Sequence, residues 1–385
     1  MRRFLPSLPA RDPEERHRAA TQLELLFDLV SVIAIASVTA GLHHAISEGH
    51  GLDELPAFVF LFTAIWWAWM NFTWFASAFD SDGPGYRLLV MVIMVGALIF
   101  AGGAEHIFET GQFSWGVVGW SIMRLGMAAL WLSASVNAEY RTTAHQYAIG
   151  IVVAQALWIW FSFSVPPSSL AFFVLGALIF LFEFAVPAFA ERARMTPFHR
   201  HHIIERYGLL TIISLGEILL AVSLGFGALY GSQPDGQVAI TATSAFVMAF
   251  AIFWLYFCER EHLPERKLST ALVWGYAHVF VFGAIALLGA GVGAELDLIT
   301  HHSHASRQAV SWWLGAPLAV LFVAIWLTRD RHFALGARGF ALPVGAIGAV
   351  GTAWASSPAW AFAGLTVLVV LWRTPLRSGA APPRA

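Results

Sequence analysis

Long apolar segments separated by short polar ones dominate the chain. Twelve of them have about the 20 residues that a helix needs to cross a bilayer, and each is predicted to be a transmembrane helix. The last two segments are short and contain Gly, Pro and Ser, so a single re-entrant hairpin is an alternative there. We therefore expect an all-α, polytopic transmembrane bundle of about 12 spans, at residues 23–45, 56–78, 87–107, 115–137, 144–164, 169–190, 203–226, 238–258, 269–292, 309–328, 337–354 and 358–373.

Basic residues are distributed unevenly between these segments. Twenty of the 22 Lys and Arg residues lie in alternate connections and at the two ends of the chain; the exceptions are Arg124 and Arg307. Cytoplasmic loops are the ones enriched in Lys and Arg. The pattern therefore predicts a multi-pass protein of the bacterial inner membrane with both termini in the cytoplasm.

The composition excludes several classes of protein. With 58% hydrophobic and 12% charged residues, the chain is too apolar for a soluble enzyme. A net charge of -2 argues against nucleic-acid binding, and a single cysteine, Cys258, excludes a disulfide framework. No removable signal peptide and no cofactor are predicted. The expected partners are membrane lipids and an unidentified small molecule or ion, and a homo-oligomer is compatible with the sequence.

The two halves of the chain resemble each other weakly. Glu24 and Glu205 both precede an apolar stretch, residues 65–69 resemble 252–256, and Glu105 and Glu295 end similar segments, at separations of 181, 187 and 190 residues. Six spans per half predict two parallel repeats; the alternative is that apolar helices look alike. The predicted organisation is a cytoplasmic arm (1–20), a first six-helix repeat (21–190), a linker (191–202), a second repeat (203–373) and a cytoplasmic tail (374–385).

Four motifs are similar to those of the bacterial low temperature requirement A (LtrA) family. The order of the motifs along residues 20–330 also agrees with that family. The resemblance implies a polytopic bacterial inner-membrane protein associated by name with growth in the cold, and it implies no particular substrate or reaction. The motifs are Leu23-Glu-Leu-Leu-Phe-Asp-Leu-Val30, Trp66-Trp-Ala-Trp69 followed by Phe79-Asp-Ser-Asp82 and Arg87, His202-Ile-Ile-Glu-Arg-Tyr-Gly-Leu-Leu-Thr-Ile-Ile-Ser-Leu-Gly-Glu217, and Tyr276-Ala-His278 after Trp254-Leu-Tyr-Phe257.

Three ionisable residues fall near the middle of predicted spans: Arg124, Glu217 and His278. A charge at this depth is costly and normally faces a partner inside the bundle. We expect Arg124 and Glu217 to pair, either as a proton- or ion-coupled site or as a salt bridge that only fixes helix packing. For His278 a hydrogen-bonded core histidine is favoured over a functional role.

A second group of ionisable residues is predicted near the cytoplasmic edge. Glu24 and Asp28 are four residues apart on one helix face, and Glu205 is predicted at a similar depth in the other half. These acids indicate either a vestibule or gate, or helix capping, since acids are favoured at helix N-termini. Capping is favoured for Glu24 and Glu205, whereas Asp28 lies deeper. Glu183 and Asn71 are further polar candidates on the ion or substrate pathway.

Histidines suggest metal ligands at two places, but no metal site is predicted at either. His199, His201 and His202 are crowded by arginines, which favours a basic segment that contacts anionic lipid. Residues 295–304 hold three further histidines and two acids, and a solvated loop is the favoured interpretation.

Two functions remain after these exclusions, and neither assigns a catalytic residue. The favoured one is a transporter or permease, because spans, a repeat and midplane charges occur together. The alternative is a membrane-embedded enzyme or binding protein that acts on lipids at the cytoplasmic face. A polar path from both sides to the midplane charges would favour transport, and a lateral opening toward lipid would favour the enzyme.

Overall fold

The computed structural model describes residues 8–15, 18–81, 83–167, 169–228, 236–259, 263 and 267–374. Within these residues the secondary structure is helical apart from one isolated bridge, so the predicted all-α class is confirmed. The α-helices are α1 (Gln22–Ser47), α2 (Gly51–Ala78), α3 (Pro84–Gly102), α4 (Ala104–Thr110), α5 (Ser114–Ala134), α6 (Arg141–Ser164), α7 (Leu170–Ala190), α8 (Arg200–Ser214), α9 (Gly216–Ala228), α10 (Gly236–Phe257), α11 (Leu268–Ile299), α12 (Arg307–Thr328), α13 (Ala341–Trp354) and α14 (Ala359–Arg373).

Ten helical segments of the described chain are long and apolar enough to cross a membrane, and they coincide with the first ten predicted spans. Two of these segments are interrupted: α3 and α4 together form Pro84–Thr110, and α8 and α9 form Arg200–Gly227. Large apolar side chains such as Phe163 and Leu170 are about four-fifths exposed, as expected for helices that face lipid. The protein is therefore a multi-pass membrane protein.

The last two helices, α13 and α14, are shorter than the others, with 14 and 15 residues. At about 1.5 Å per residue they extend roughly 21 and 22 Å, less than the hydrocarbon core of about 30 Å. Twelve full spans therefore stay a prediction for this part of the chain.

The chain forms two compact units that are not the two predicted sequence halves. The first unit contains Met1–Leu42, Leu52–Ile213 and Leu263–Val279, and the second contains His43–Gly51, Ser214–His262 and Phe280–Ala385. The beginning of α11 thus belongs to the same unit as α3 to α7. The parallel repeat of six plus six helices, with its boundaries, stays a prediction.

In the first unit, α3 packs closely on α5, and α6 lies between α5 and α7. Glycines allow the approach of α3 and α5: a Cβ atom at Gly119 would lie 2.5 Å from the backbone nitrogen of Phe100, and one at Gly96 would lie 2.8 Å from the carbonyl oxygen of Gly119. Because backbone atoms form both contacts, a change of rotamer does not relieve them. Small residues at helix crossings are the usual means of close packing in membranes.

We expect Gly119→Ala to lower the folded yield and the melting temperature of the detergent-solubilised protein, because its Cβ would collide with α3. Overpacking of this kind costs about 1–3 kcal/mol. Gly102→Ala is the matched control, since a Cβ atom there meets nothing within 4 Å. Equal melting temperatures for the two variants would contradict the close α3–α5 crossing.

In the second unit, α12 packs on α13, and α10 contacts both α9 and α14. A buried arginine, Arg373, holds the end of α14: its Nε atom is 2.5 Å from Oδ2 of Asp330, and Nη1 is 3.1 Å from Oε1 of Glu259. Arg329 donates to the carbonyl oxygen of Glu259 at 2.7 Å. These contacts join the ends of three helices by charge-assisted hydrogen bonds.

Candidate functional site

The candidate site begins at the first turn of α1. The backbone N–H of Thr21 donates to Oε2 of Glu24 at 2.7 Å, and the N–H of Glu24 donates to Oγ1 of Thr21 at 3.3 Å. This reciprocal pair is a capping box. It fixes one carboxylate oxygen of Glu24 at the start of the helix and leaves the other oxygen to face α8.

Four ionisable side chains meet between α1 and α8: Glu24, Asp28, His202 and Arg206. Each helix contributes two residues that are four positions apart and therefore share a face. Nη1 of Arg206 is 3.1 Å from Oε1 of Glu24, Nη2 forms an ion pair with Oδ1 of Asp28, and Nε2 of His202 is 3.1 Å from the same Glu24 oxygen. All four side chains are at most 2% exposed. We call them the acid–arginine cluster.

An aromatic side chain, Trp69, donates to this cluster, and other aromatic rings pack against Trp69 and Tyr207. Nε1 of Trp69 donates to Oδ1 of Asp28 at 2.6 Å, and the Trp69 ring packs edge-on against Tyr207 at 5.0 Å. The hydroxyl of Tyr207 accepts a hydrogen bond from Trp74 at 3.0 Å. The hydrogen bonds and ring contacts together hold Asp28 in one orientation.

His278 also contacts Tyr207. Its ring is 5.0 Å from the ring of Tyr207, and its Nδ1 donates to the carbonyl oxygen of Trp274 at 2.8 Å. The side chain is completely buried. This geometry agrees with the hydrogen-bonded core histidine favoured by the sequence.

The cluster contains two carboxyl groups but only one permanent cation. A second buried arginine nearby, Arg18, donates to the carbonyl oxygens of Ala76 and Ser77 and lies 3.9 Å from Asp80. Its hydrogen bonds and its ion pair thus lie outside the cluster. Oδ2 of Asp28 is buried and has no hydrogen-bond partner within the described part of the chain. At this site two acids therefore share one arginine and one histidine.

A second buried ion pair joins α5 to α7. Nη2 of Arg124 forms an ion pair with Oε2 of Glu183, which also accepts a hydrogen bond from Nε1 of Trp67 at 2.9 Å. The guanidinium carbon of Arg124 lies 5.4 Å from the centre of the Trp120 ring. Both charged side chains are at most 2% exposed. Each charge is therefore compensated inside the helix bundle, as its burial requires.

The predicted pairing of Arg124 with Glu217 is wrong, because the acid that meets Arg124 is Glu183. Glu217 lies in the second unit, in the first turn of α9. A Cβ atom placed at Gly289 would be 2.9 Å from the Cβ atom of Glu217, so Glu217 lies close to α11. Counting along a span predicts depth in the membrane but not which helix lies alongside. Helix α6 packs against both α5 and α7. Arg124 on α5 therefore meets Glu183 on α7 because of how these helices pack.

Two other candidates lie outside the cluster. Glu205 is exposed, and its carboxylate accepts from the N–H of Ala20 at 3.5 Å, whereas the adjacent Arg206 is buried. Asn71 is buried and donates to the carbonyl oxygen of Trp67 at 2.8 Å. It lines a small cavity of about 30 Å³ together with Glu191.

The sequence did not single out Glu191. This buried carboxylate accepts hydrogen bonds from the backbone N–H and hydroxyl of Thr196 and from the hydroxyl of Tyr147, at 2.6, 2.8 and 2.8 Å. Burial raises its pKa, and the three hydrogen bonds oppose that rise. The preceding residues, Ala188-Phe189-Ala190, contain no polar group that would indicate a buried carboxylate at the end of α7.

The histidines at the start of α8 point in different directions. His199 contacts the carbonyl oxygen of Glu15 at 2.8 Å, His201 is exposed, and His202 faces Glu24. Within the residues that the structure describes, no three His, Cys, Asp or Glu side chains converge as a metal ion would require.

Comparison with known proteins gives one decisive result. A family model described as "Bacterial low temperature requirement A protein (LtrA)" matches residues 19–374. The chain belongs to the LtrA family. It is also 23% identical over 326 residues to a protein of Rhizobium meliloti (strain 1021) that is named "Uncharacterized protein RA0937"; the match covers 80% of this chain and 76% of that protein. No solved structure matches the chain.

Residues from the LtrA-like motifs build the acid–arginine cluster. The first motif supplies Glu24 and Asp28, the tryptophan motif supplies Trp69, and the α8 motif supplies His202 and Arg206. Asp28 and Arg206, which are 178 residues apart in the chain, therefore meet at one buried site of the LtrA-family fold.

Proposed function

We propose that this protein is a proton-coupled transporter of the bacterial inner membrane and that the acid–arginine cluster binds the coupling proton. Ten segments with the length and hydropathy of membrane spans support this proposal. The observation that carries it is the charge composition of the cluster, in which two carboxyl groups surround one arginine.

The charge balance explains why a proton would bind there. With both acids ionised and His202 neutral, the four side chains carry one negative charge; one added proton makes them neutral. An uncompensated charge is expensive to bury in the membrane. Occupancy by a proton is therefore linked to the stability of this arrangement of α1 and α8.

The ion pairs of Arg206 with Glu24 and Asp28 also provide a means of coupling proton binding to helix packing. In the unprotonated cluster, Arg206 is held by acids on two successive turns of α1. When one acid is protonated, its ion pair with Arg206 is weakened, and the preferred packing of α8 on α1 changes. A solute that favours one of these two packings would shift the proton equilibrium, which is the thermodynamic basis of coupled transport.

Helix α2 extends from the cluster toward the other end of the same unit. Trp69 contacts Asp28, Trp67 contacts Glu183, and Phe60 lies nine residues before Trp69, or about 14 Å along the helix axis. In the orientation predicted by the Lys and Arg distribution, the cluster faces the cytoplasm and the start of α2 faces the outside. The buried carboxyl groups of Asp28 and Glu183 thus contact α2 within one turn of each other.

The test is solute-dependent proton movement in proteoliposomes with a trapped pH-sensitive dye. Wild-type protein is challenged with cationic, anionic and zwitterionic solutes under an imposed pH gradient. We expect Asp28→Asn to reduce the coupled proton movement by about 10-fold or more while the protein stays folded. Glu205→Gln, a change of an exposed acid on α8, is the control and should retain wild-type movement. Full coupling in Asp28→Asn would remove Asp28 as the proton site.

A further inference from the structure

A cavity of about 640 Å³ opens in the first unit, among the start of α2, the end of α4 and the start of α7. Small-molecule sites in proteins usually measure about 300–1,000 Å³. We call it the Phe60 cavity. It is distinct from the acid–arginine cluster, since none of the four cluster residues lines it.

Phenylalanine rings form its walls, and Phe60 is their centre. The Phe60 ring packs edge-on against Phe113 at 4.9 Å and against Phe180 at 5.2 Å, and it lies 6.2 Å from Phe172. Phe113 and Phe172 are also in contact, at 5.3 Å. The faces of aromatic rings attract cations, more strongly where water is excluded.

Acids provide the only charged groups among the described residues that line this cavity: Asp53, Glu54 and Glu109. Asp53 and Glu54 lie in the first turn of α2, where the helix dipole favours acids. That explanation fails for Glu109, which lies near the C-terminal end of α4, where the dipole favours cations. The cavity therefore combines aromatic walls with negative charge.

A smaller cavity of about 20 Å³ adjoins the Phe60 cavity and shares Phe60, Phe113 and Phe180 with it. This volume is enough for about one water molecule. Trp120 lines it, and the Nε1 atom of that buried ring has no hydrogen-bond partner within the described residues. The Arg124 guanidinium lies 5.4 Å from the Trp120 ring, so this ring contacts both the smaller cavity and the Arg124–Glu183 pair.

We propose that the Phe60 cavity binds an amphiphilic organic monocation, with its charge near the acids and its apolar part against the phenylalanines. As an assignment of the transported solute, this inference rests on the proposed function; as a binding site, it stands by itself. An anion of the same shape is disfavoured, since it would meet three carboxylates and no described basic side chain.

The experiment is equilibrium dialysis of the full-length, detergent-purified protein against tetraphenylphosphonium, with tetraphenylborate as a probe of the same shape and opposite charge. Protein-free micelles provide the blank. We expect saturable binding of the cation and none of the anion. The triple variant Asp53→Asn, Glu54→Gln and Glu109→Gln should bind the cation about 10-fold more weakly. Glu105→Gln, which changes an exposed acid of α4 that does not line the cavity, should bind it normally.

A second variant tests the walls independently of charge. A Cβ atom at Gly176 would make only ordinary contacts, 3.5 Å from Phe161 and 3.8 Å from Phe60, so Gly176→Ala is expected to fold and to add a methyl group to the lining of the cavity. It should weaken binding of the cation, with an unchanged melting temperature as the folding control.

The outcomes separate this inference from the proposed function. Equal binding of cation and anion, or unchanged binding by the triple variant, overturns the inference whatever the proteoliposomes do. Charge-selective binding that the triple variant loses supports the site. If that bound cation also moves protons in wild-type proteoliposomes but not in Asp28→Asn, both proposals are supported; if it moves none, the site stands and its assignment as the transported solute is overturned.

Discussion

Arg206→Gln is expected to lower the stability of the folded protein by about 3–5 kcal/mol, because it leaves two buried carboxylates without their shared cation. Arg206 and both acids are at most 2% exposed, so water cannot replace the missing partner. The result should appear as a sharp fall in folded yield and in the melting temperature of the solubilised protein. Adding Asp28→Asn should recover part of the loss, since it removes one of the stranded charges.

The matched control for this variant is Arg194→Gln. Arg194 also forms an ion pair with a glutamate, Glu139, but both side chains are about half exposed. Exposed pairs of this kind contribute about 0–1 kcal/mol. Similar melting temperatures for Arg206→Gln and Arg194→Gln would show that the acid–arginine cluster is not the buried network described above.

The second large effect is expected at the Arg124–Glu183 pair. Arg124→Gln and Glu183→Gln should each cost about 3–5 kcal/mol, since each leaves one buried charge uncompensated. The double variant should be more stable than the sum of the two losses predicts, because neither charge remains. The measurement is a double-mutant cycle of melting temperatures and folded yields.

Glu217 provides the control for that cycle. Arg124→Gln combined with Glu217→Gln should show losses that simply add, because the acid bound to Arg124 is Glu183. Additive losses for Arg124 and Glu183, with a strong coupling between Arg124 and Glu217, would contradict the pairing in the structure and restore the pair expected from sequence.

The span boundaries were predictable because they depend on local properties. Residues 23–45 were predicted for α1, which covers Gln22–Ser47, and 115–137 for α5, which covers Ser114–Ala134. A bilayer of about 30 Å imposes a length of about 20 apolar residues, and this requirement is visible in any window of the sequence. The breaks at Gly103 and Leu215 were missed because hydropathy continues across them.

The candidate residues were predictable by type, but their neighbours were not. Ionisable residues inside apolar segments stand out, and Glu24, Asp28, Arg124 and Glu183 were all recognised in this way. Arg206 directly follows Glu205 in the sequence, yet only Arg206 is buried. Adjacent helical residues are rotated by about 100° from each other, so their surroundings depend on which face of α8 packs against α1.

The sequence by itself determined the class, the number and limits of the first ten spans, and the membership of the LtrA family, because hydropathy and motif order are properties of the linear chain. Tertiary structure decided that Arg206 joins Glu24 to Asp28 and that Arg124 meets Glu183. The physical reason is lateral packing: every span satisfies the same hydropathy requirement, whereas the choice of neighbouring helices depends on side-chain shapes and buried charges distributed over the whole fold.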